Sequence, residues 1–174
     1  VDRVGRTRAL QKSELFFAAT HTHAGVGGWA EGIVGEQFSG EYNARMRGWL
    51  VQQMSLAIER AVDDLQPGTI ATGRFNAPGF VYTRVVRDLG ITDPEFGFAV
   101  FQQENGNTGV LGAFAAHATI LNAENMELSG DYPGYWSRYL EQDPNVIAGF
   151  FAGAVGSHGP RGEGKAFDRA KMVG

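Results

Sequence analysis

The chain has 174 residues, a formal net charge of −4, 43% hydrophobic and 20% charged residues, which fits one globular domain with a real core and is short for two. The charge balance, with no long run of lysine or arginine, argues against a nucleic-acid partner, because neutralising phosphates takes clustered positive charge. Cysteine is absent, which excludes disulfides, thiolate metal sites and a cysteine nucleophile.

Val1–Lys12 is locally basic through Arg3, Arg6, Arg8 and Lys12 and reads as a solvated segment. No stretch approaches the ~18 apolar residues of a membrane span, and no signal peptide opens the chain. A mature protein would have lost such a signal. Glu14–Thr20 holds a short apolar run that reads as a buried strand delivering a histidine-rich loop, with a short helix as the alternative. Thr20–Gly40, with glycine at 25, 27, 28, 32, 35 and 40, reads as loop. Ser39 is the expected cap of a long helix over Gly40–Leu65. Tyr42, Met46, Trp49, Gln53 and Leu56 follow helical spacing there, and Pro67-Gly68 ends it.

Thr69–Asn76, Phe96–Gln102 and Thr108–His117 read as strands, the last two joined as a hairpin through Asn105-Gly106. Asp131 and Pro133 open a helix near Tyr132–Gln142, with aspartate at the cap and proline in the first turn. Val146–Ala152 is a further apolar strand before a glycine-rich loop, and Phe167–Val173 reads as the start of a helix. Loose alternation of strands and helices with a hairpin included gives an α/β class, a mixed β-sheet with flanking helices. The abrupt start and the helical pattern running into Gly174 suggest part of a larger domain.

Three of the four histidines, His21, His23 and His117, fall at the ends of expected strands. On an extended backbone the H-x-H pair His21-Thr22-His23 would turn both imidazoles to one face. Imidazole is a common zinc ligand, and a catalytic zinc takes three protein ligands and keeps a position for water. The competing reading is that each histidine is a hydrogen-bonded packing residue. Context repeats: Phe17–His21, Phe114–His117 and Phe150–Ser157 each run an apolar segment into a polar group, and strand ends are where α/β sheets assemble sites.

The stretch ATHTHAGVGGW (Ala19–Trp29) resembles the signature of the neutral/alkaline, non-lysosomal ceramidases, ATHTHSGPGG. FAAHATILNAENMELSGDYPGYW (Phe114–Trp136) is similar to that family's second histidine segment, and FFAGAVGSHGP (Phe150–Pro160) falls where the family has its serine segment. The resemblance implies a partial N-terminal catalytic domain over residues 1–174. It implies a single Zn2+ held by His21 and His117, with a glutamate and a tyrosine from later in the chain completing the set. It also places His23 in the pocket near the metal, Arg84 at an active-site arginine and Ser157 at a substrate-contacting serine. The implied activity is zinc-dependent amide hydrolysis by metal-activated water, on ceramide or a related lipid amide. Secretion and peripheral contact with the membrane that carries the lipid come with it.

Two departures stand out: His117-Ala118-Thr119 replaces His-Pro-Thr, and Ser157-His158-Gly159-Pro160 replaces a segment that continues Ser-Pro-Asn. The second lies where substrate would bind. Each residue also has a plainer reading, Arg84 as a surface ion-pair residue, Ser157 as a loop serine, Glu124 as a turn residue and Asp131 as a helix cap. Two rival functions remain: a non-catalytic binding module that keeps the fold, and a serine hydrolase using Ser157 and His158. The second lacks a G-x-S-x-G elbow.

Overall fold

The computed structural model of the chain describes residues 10–86, 88 and 90–162. Most of the basic N-terminal segment and the helix expected over Phe167–Val173 lie outside the described residues. The chain divides into two units. One takes the chain up to Phe17 together with Val26–Gln66, and the other takes Ala18–Gly25 and the chain from Pro67.

The first unit contains helices α1, Gly32–Ser39, and α2, Ala44–Asp63. The expectation of loop throughout Thr20–Gly40 is therefore wrong, and so is the expected cap: Ser39 is the last residue of α1, its hydroxyl donating to the Gly35 carbonyl at 2.9 Å. Gly40, at φ 76°, leaves the helical region there, a conformation glycine adopts without steric cost. The long pattern consequently starts later. Asn43 caps α2, its Oδ1 accepting from Arg45 N–H at 3.0 Å and Met46 N–H at 3.1 Å.

The buried strand expected over Glu14–Thr20 is also overturned. A 3-10 turn at Lys12–Glu14 leads into irregular chain, with Phe16 80% and Phe17 51% exposed. An apolar run needs a ladder of partners to become a strand. Here Ala19 accepts a bond from Ala152 N–H at 2.9 Å, and no strand forms among the described residues of this stretch.

In the second unit, β1 (Gly68–Asn76), β3 (Glu95–Gln103), β4 (Thr108–Phe114) and β5 (Val146–Ala152) form a sheet in the order β1-β3-β4-β5. The first three run antiparallel through the expected hairpin, and β5 pairs parallel to β4. A parallel pair needs a crossover, and helix α3, Asp131–Leu140, lies in that connection. Strand β2 (Val81–Thr83) pairs antiparallel with β6 (His158–Pro160) in a second small sheet. This is the mixed-sheet α/β class that the pattern implied.

The core lies between α3 and the sheet. Phe96, Phe114, Phe150 and Tyr132 are all at most 8% exposed, with Trp136 packed against them. The rings of Phe96 and Trp136 have centroids 5.6 Å apart, and those of Tyr132 and Phe150 5.5 Å. At Gly112 in β4, a Cβ would come within 2.8 Å of both the Phe96 and Trp136 rings, so the missing side chain is what lets α3 seat its tryptophan. Burial of such aromatics contributes roughly 2–3 kcal/mol each. The result is a rigid platform at the C-terminal ends of β4 and β5.

Candidate metal centre

His117 stands three residues beyond the end of β4, and its backbone is held on all sides. The preceding carbonyl, Ala116 O, accepts the buried Tyr132 hydroxyl at 2.5 Å. His117 N–H donates to His158 O at 3.1 Å, and Ala118 O accepts from His23 N–H at 3.4 Å. The loop that follows is tied to Asp131, 1% exposed, which accepts from the N–H groups of Leu121 at 2.9 Å and Tyr132 at 2.6 Å. Ala115, Ala116 and Ala118 are each at most 4% exposed, small enough for the chain to thread the core. Pairing of the buried polar groups is what makes such burial affordable.

His117 itself is 5% exposed, and its Nδ1 lies 2.9 Å from the Val155 carbonyl. A carbonyl only accepts, so Nδ1 carries the proton and Nε2 presents its lone pair. His21 Nε2 and His23 Nε2 meet that same atom at 2.9 Å and 3.0 Å. All three ring nitrogens lie within 4.8 Å of one another. The structure thus brings together the three histidines that the sequence singled out.

The route differs from the extended H-x-H geometry. His21 sits at φ 59°, in the left-handed region that costs a non-glycine residue about 1–2 kcal/mol. Thr22 then turns the chain: its hydroxyl donates to Ser129 O at 2.8 Å and accepts from Ala24 N–H at 3.2 Å. Ser129 N–H donates to Ala24 O at 2.9 Å. The two rings are aimed by this turn and by the loop before α3, rather than by strand alternation.

Electrostatics favour the neutral form of His23 and of His117. Desolvation pushes His23 below its ordinary range, with the charges of His21 and Arg84 adding and Asp131 opposing. Burial does the same to His117; the Val155 carbonyl opposes, and Arg84, His21 and His23 add to the lowering. The donor set fits zinc. Imidazole is a common zinc ligand, and tetrahedral Zn–N bonds of about 2.0–2.1 Å put the nitrogens roughly 3.3 Å apart, close to the spacings of His117 to its two neighbours.

Arg84 and Ser157 are joined beside this cluster. Val155–Ser157 form a 3-10 turn after β5, and its carbonyls are taken in sequence by two residues. Val155 O accepts from His117 Nδ1, Gly156 O from Arg84 Nε at 3.1 Å, Ser157 O from Arg84 N–H at 2.9 Å, and His158 O from His117 N–H. Arg84 therefore grips backbone, where its plainer reading had a carboxylate. Ser157 Oγ lies 2.9 Å from His158 Nδ1. Glu124 is exposed, and its N–H caps an Asn122 turn at 3.1 Å. Asp131 braces the loop behind His117, itself at φ 53° as the first residue of α3, one step inside the expected cap position.

No protein-family model matches the chain. Its sequence is 29% identical over 160 residues to the neutral ceramidase of Pseudomonas aeruginosa, covering 81% of this chain. It is 24% identical over 204 residues to the neutral ceramidase of Mycobacterium tuberculosis, covering 99%. The fold matches the crystal structure of the Pseudomonas aeruginosa enzyme with a TM-score of 0.82 over 99% of this chain at 22% identity. This chain is a relative of the neutral ceramidases. It spans 23% and 32% of the length of the two neutral ceramidase sequences and 31% of the solved chain. A ceramidase solved in complex with C2 superposes similarly, with a TM-score of 0.84 at 23% identity, over 31% of its own length.

The ceramidase-like signature Ala19–Trp29 carries two of the three converging nitrogens, and Phe114–Trp136 carries the third together with Tyr132 and Asp131, which brace it. Tyr132 as a brace and the Val155 carbonyl are the parts that sequence reasoning missed. His158 was singled out as a departure from the serine segment and as the partner of Ser157 in the rival reading, without its bond to Asp93 N–H.

Proposed function

We propose that the chain forms part of the active site of a zinc-dependent hydrolase of lipid amides, of ceramide or a relative of it. The observation that carries this is the meeting of His21, His23 and His117 Nε2 atoms, at 2.9 Å and 3.0 Å from the buried ring, in a chain related to neutral ceramidases. On this reading His21 and His117 are ligands and residues 1–174 are part of the catalytic domain. Zinc held there supplies Lewis acidity and activates water at neutral pH.

The chain's own residues do the rest. His117 is held with Nε2 toward the site by Val155 O and by its own backbone bonds. His23, whose lowered pKa favours the neutral form, takes or returns a proton at Nε2 beside the reacting amide. Arg84 presents a fixed positive charge that orients a substrate oxygen while its Nε steadies the turn. Ser157, exposed on that turn, contacts the substrate.

The test is hydrolysis by the full-length protein of a panel of ceramides, N-acyl amino acids and simple esters, before and after chelation and with zinc restored. Zinc-dependent cleavage of the amides is expected. Zinc bound without any hydrolysis would make the chain a binding module, and preference for the esters alone would overturn the amide assignment.

A further inference from the structure

His158 replaces the residue that follows the serine in the related segment, and it is the one histidine outside the cluster. Its two ring nitrogens have different partners. Asp93 N–H donates to Nε2 at 3.0 Å. A backbone amide can only donate, so Nε2 is the unprotonated nitrogen and the neutral ring carries its hydrogen on Nδ1. That hydrogen faces Ser157 Oγ at 2.9 Å. The serine hydroxyl is therefore the acceptor in this pair.

We infer that His158 is a positioning residue that fills an acceptor site of the Ser157 hydroxyl and so leaves its O–H to donate to an acceptor oxygen of the lipid amide. This rests on the function proposed above. A hydroxyl has one hydrogen to give. With an imidazole lone pair beside it, that hydrogen would be spent on the ring. With Nδ1–H beside it, the hydrogen turns outward from an exposed turn whose carbonyls are already engaged by Arg84 and His117. The backbone of His158 pairs with Thr83 in the β2–β6 ladder, which fixes the ring relative to both partners. The same arrangement disfavours the serine-hydrolase reading: a nitrogen that donates to Ser157 is not the base that would accept its proton.

Two measurements decide it. An imidazole 15N–1H correlation spectrum of the chain at neutral pH should show His158 as the Nδ1–H tautomer; the Nε2–H tautomer overturns the inference, whatever the protein's activity. In the full-length protein, His158→Phe should lower kcat/KM roughly tenfold, the scale of one lost hydrogen bond, with zinc content unchanged. In a Ser157→Ala background the same change should have no further effect, because the ring acts through the hydroxyl. His158→Asn, whose amide can donate from the same place, should recover much of the loss. Equal losses in both backgrounds would show a merely structural role and overturn the inference.

Discussion

His117 and Arg84 share one turn: the carbonyls of Val155 and His158 accept from His117, and those of Gly156 and Ser157 between them accept from Arg84. The residue that bears the buried imidazole and the residue that bears the nearby charge are thus registered through four consecutive backbone oxygens. The turn after β5 is the common template of the site.

Metal retention follows from the donors. The full-length protein should carry about one zinc per chain. Elemental analysis of His21→Ala and of His117→Ala should find it lost, whereas His23→Ala should keep the metal and lose activity. Zinc retained in both of the first variants would remove the assignment. Loss in His23→Ala would make that ring a third ligand.

Proton titration has a sign. His23 and His117 are both lowered from the ordinary 6.5, so in the metal-free chain their imidazole proton resonances should titrate with midpoints below it. As pH falls through 6.5 the unfolded chain takes up these protons first. The two rings therefore contribute stability that is present above 6.5 and lost as pH falls toward their folded-state values. Arg84→Gln should move both midpoints upward, since its charge is among the causes that lower them. Midpoints unmoved by that change would mean the arginine lies too far away to act on the site.

Asp131 is a structural brace. Asp131→Ala strips the partner from the N–H groups of Leu121 and Tyr132 in a buried place and should cost about 2–4 kcal/mol in urea unfolding. Asp131→Asn keeps one acceptor oxygen and tolerates the positive φ, so it should cost clearly less. Equal losses would show that the two hydrogen bonds contribute little.

Ser157→Ala separates two kinds of attack. If water activated at the metal is the nucleophile, one substrate contact is lost, typically about 10²–10³ in rate, and the remaining turnover still needs zinc. An essential nucleophile would cost on the order of 10⁶. Mass spectrometry that trapped an acyl group on Ser157 would show the second case.

Much of the fold was legible because it is encoded over a few residues. The 3.6-residue spacing of apolar positions marked the body of α2, the apolar run marked β5, and Asn105-Gly106 marked the β3–β4 hairpin. The limits of that locality show in α1, which lies within a glycine-rich stretch, and in Phe16 and Phe17, which have the composition of a strand and no ladder to join. The site divides in the same way. The sequence by itself determined which imidazoles were candidates, through H-x-H and the second histidine segment. Only the tertiary structure decided that His21 and His23 meet a ring 96 and 94 residues away. It also decided that His117 offers Nε2 and that His158 offers Nδ1–H. Those choices are made by the Val155 carbonyl and the Asp93 amide, and a backbone group looks the same in every residue until the fold brings it into contact.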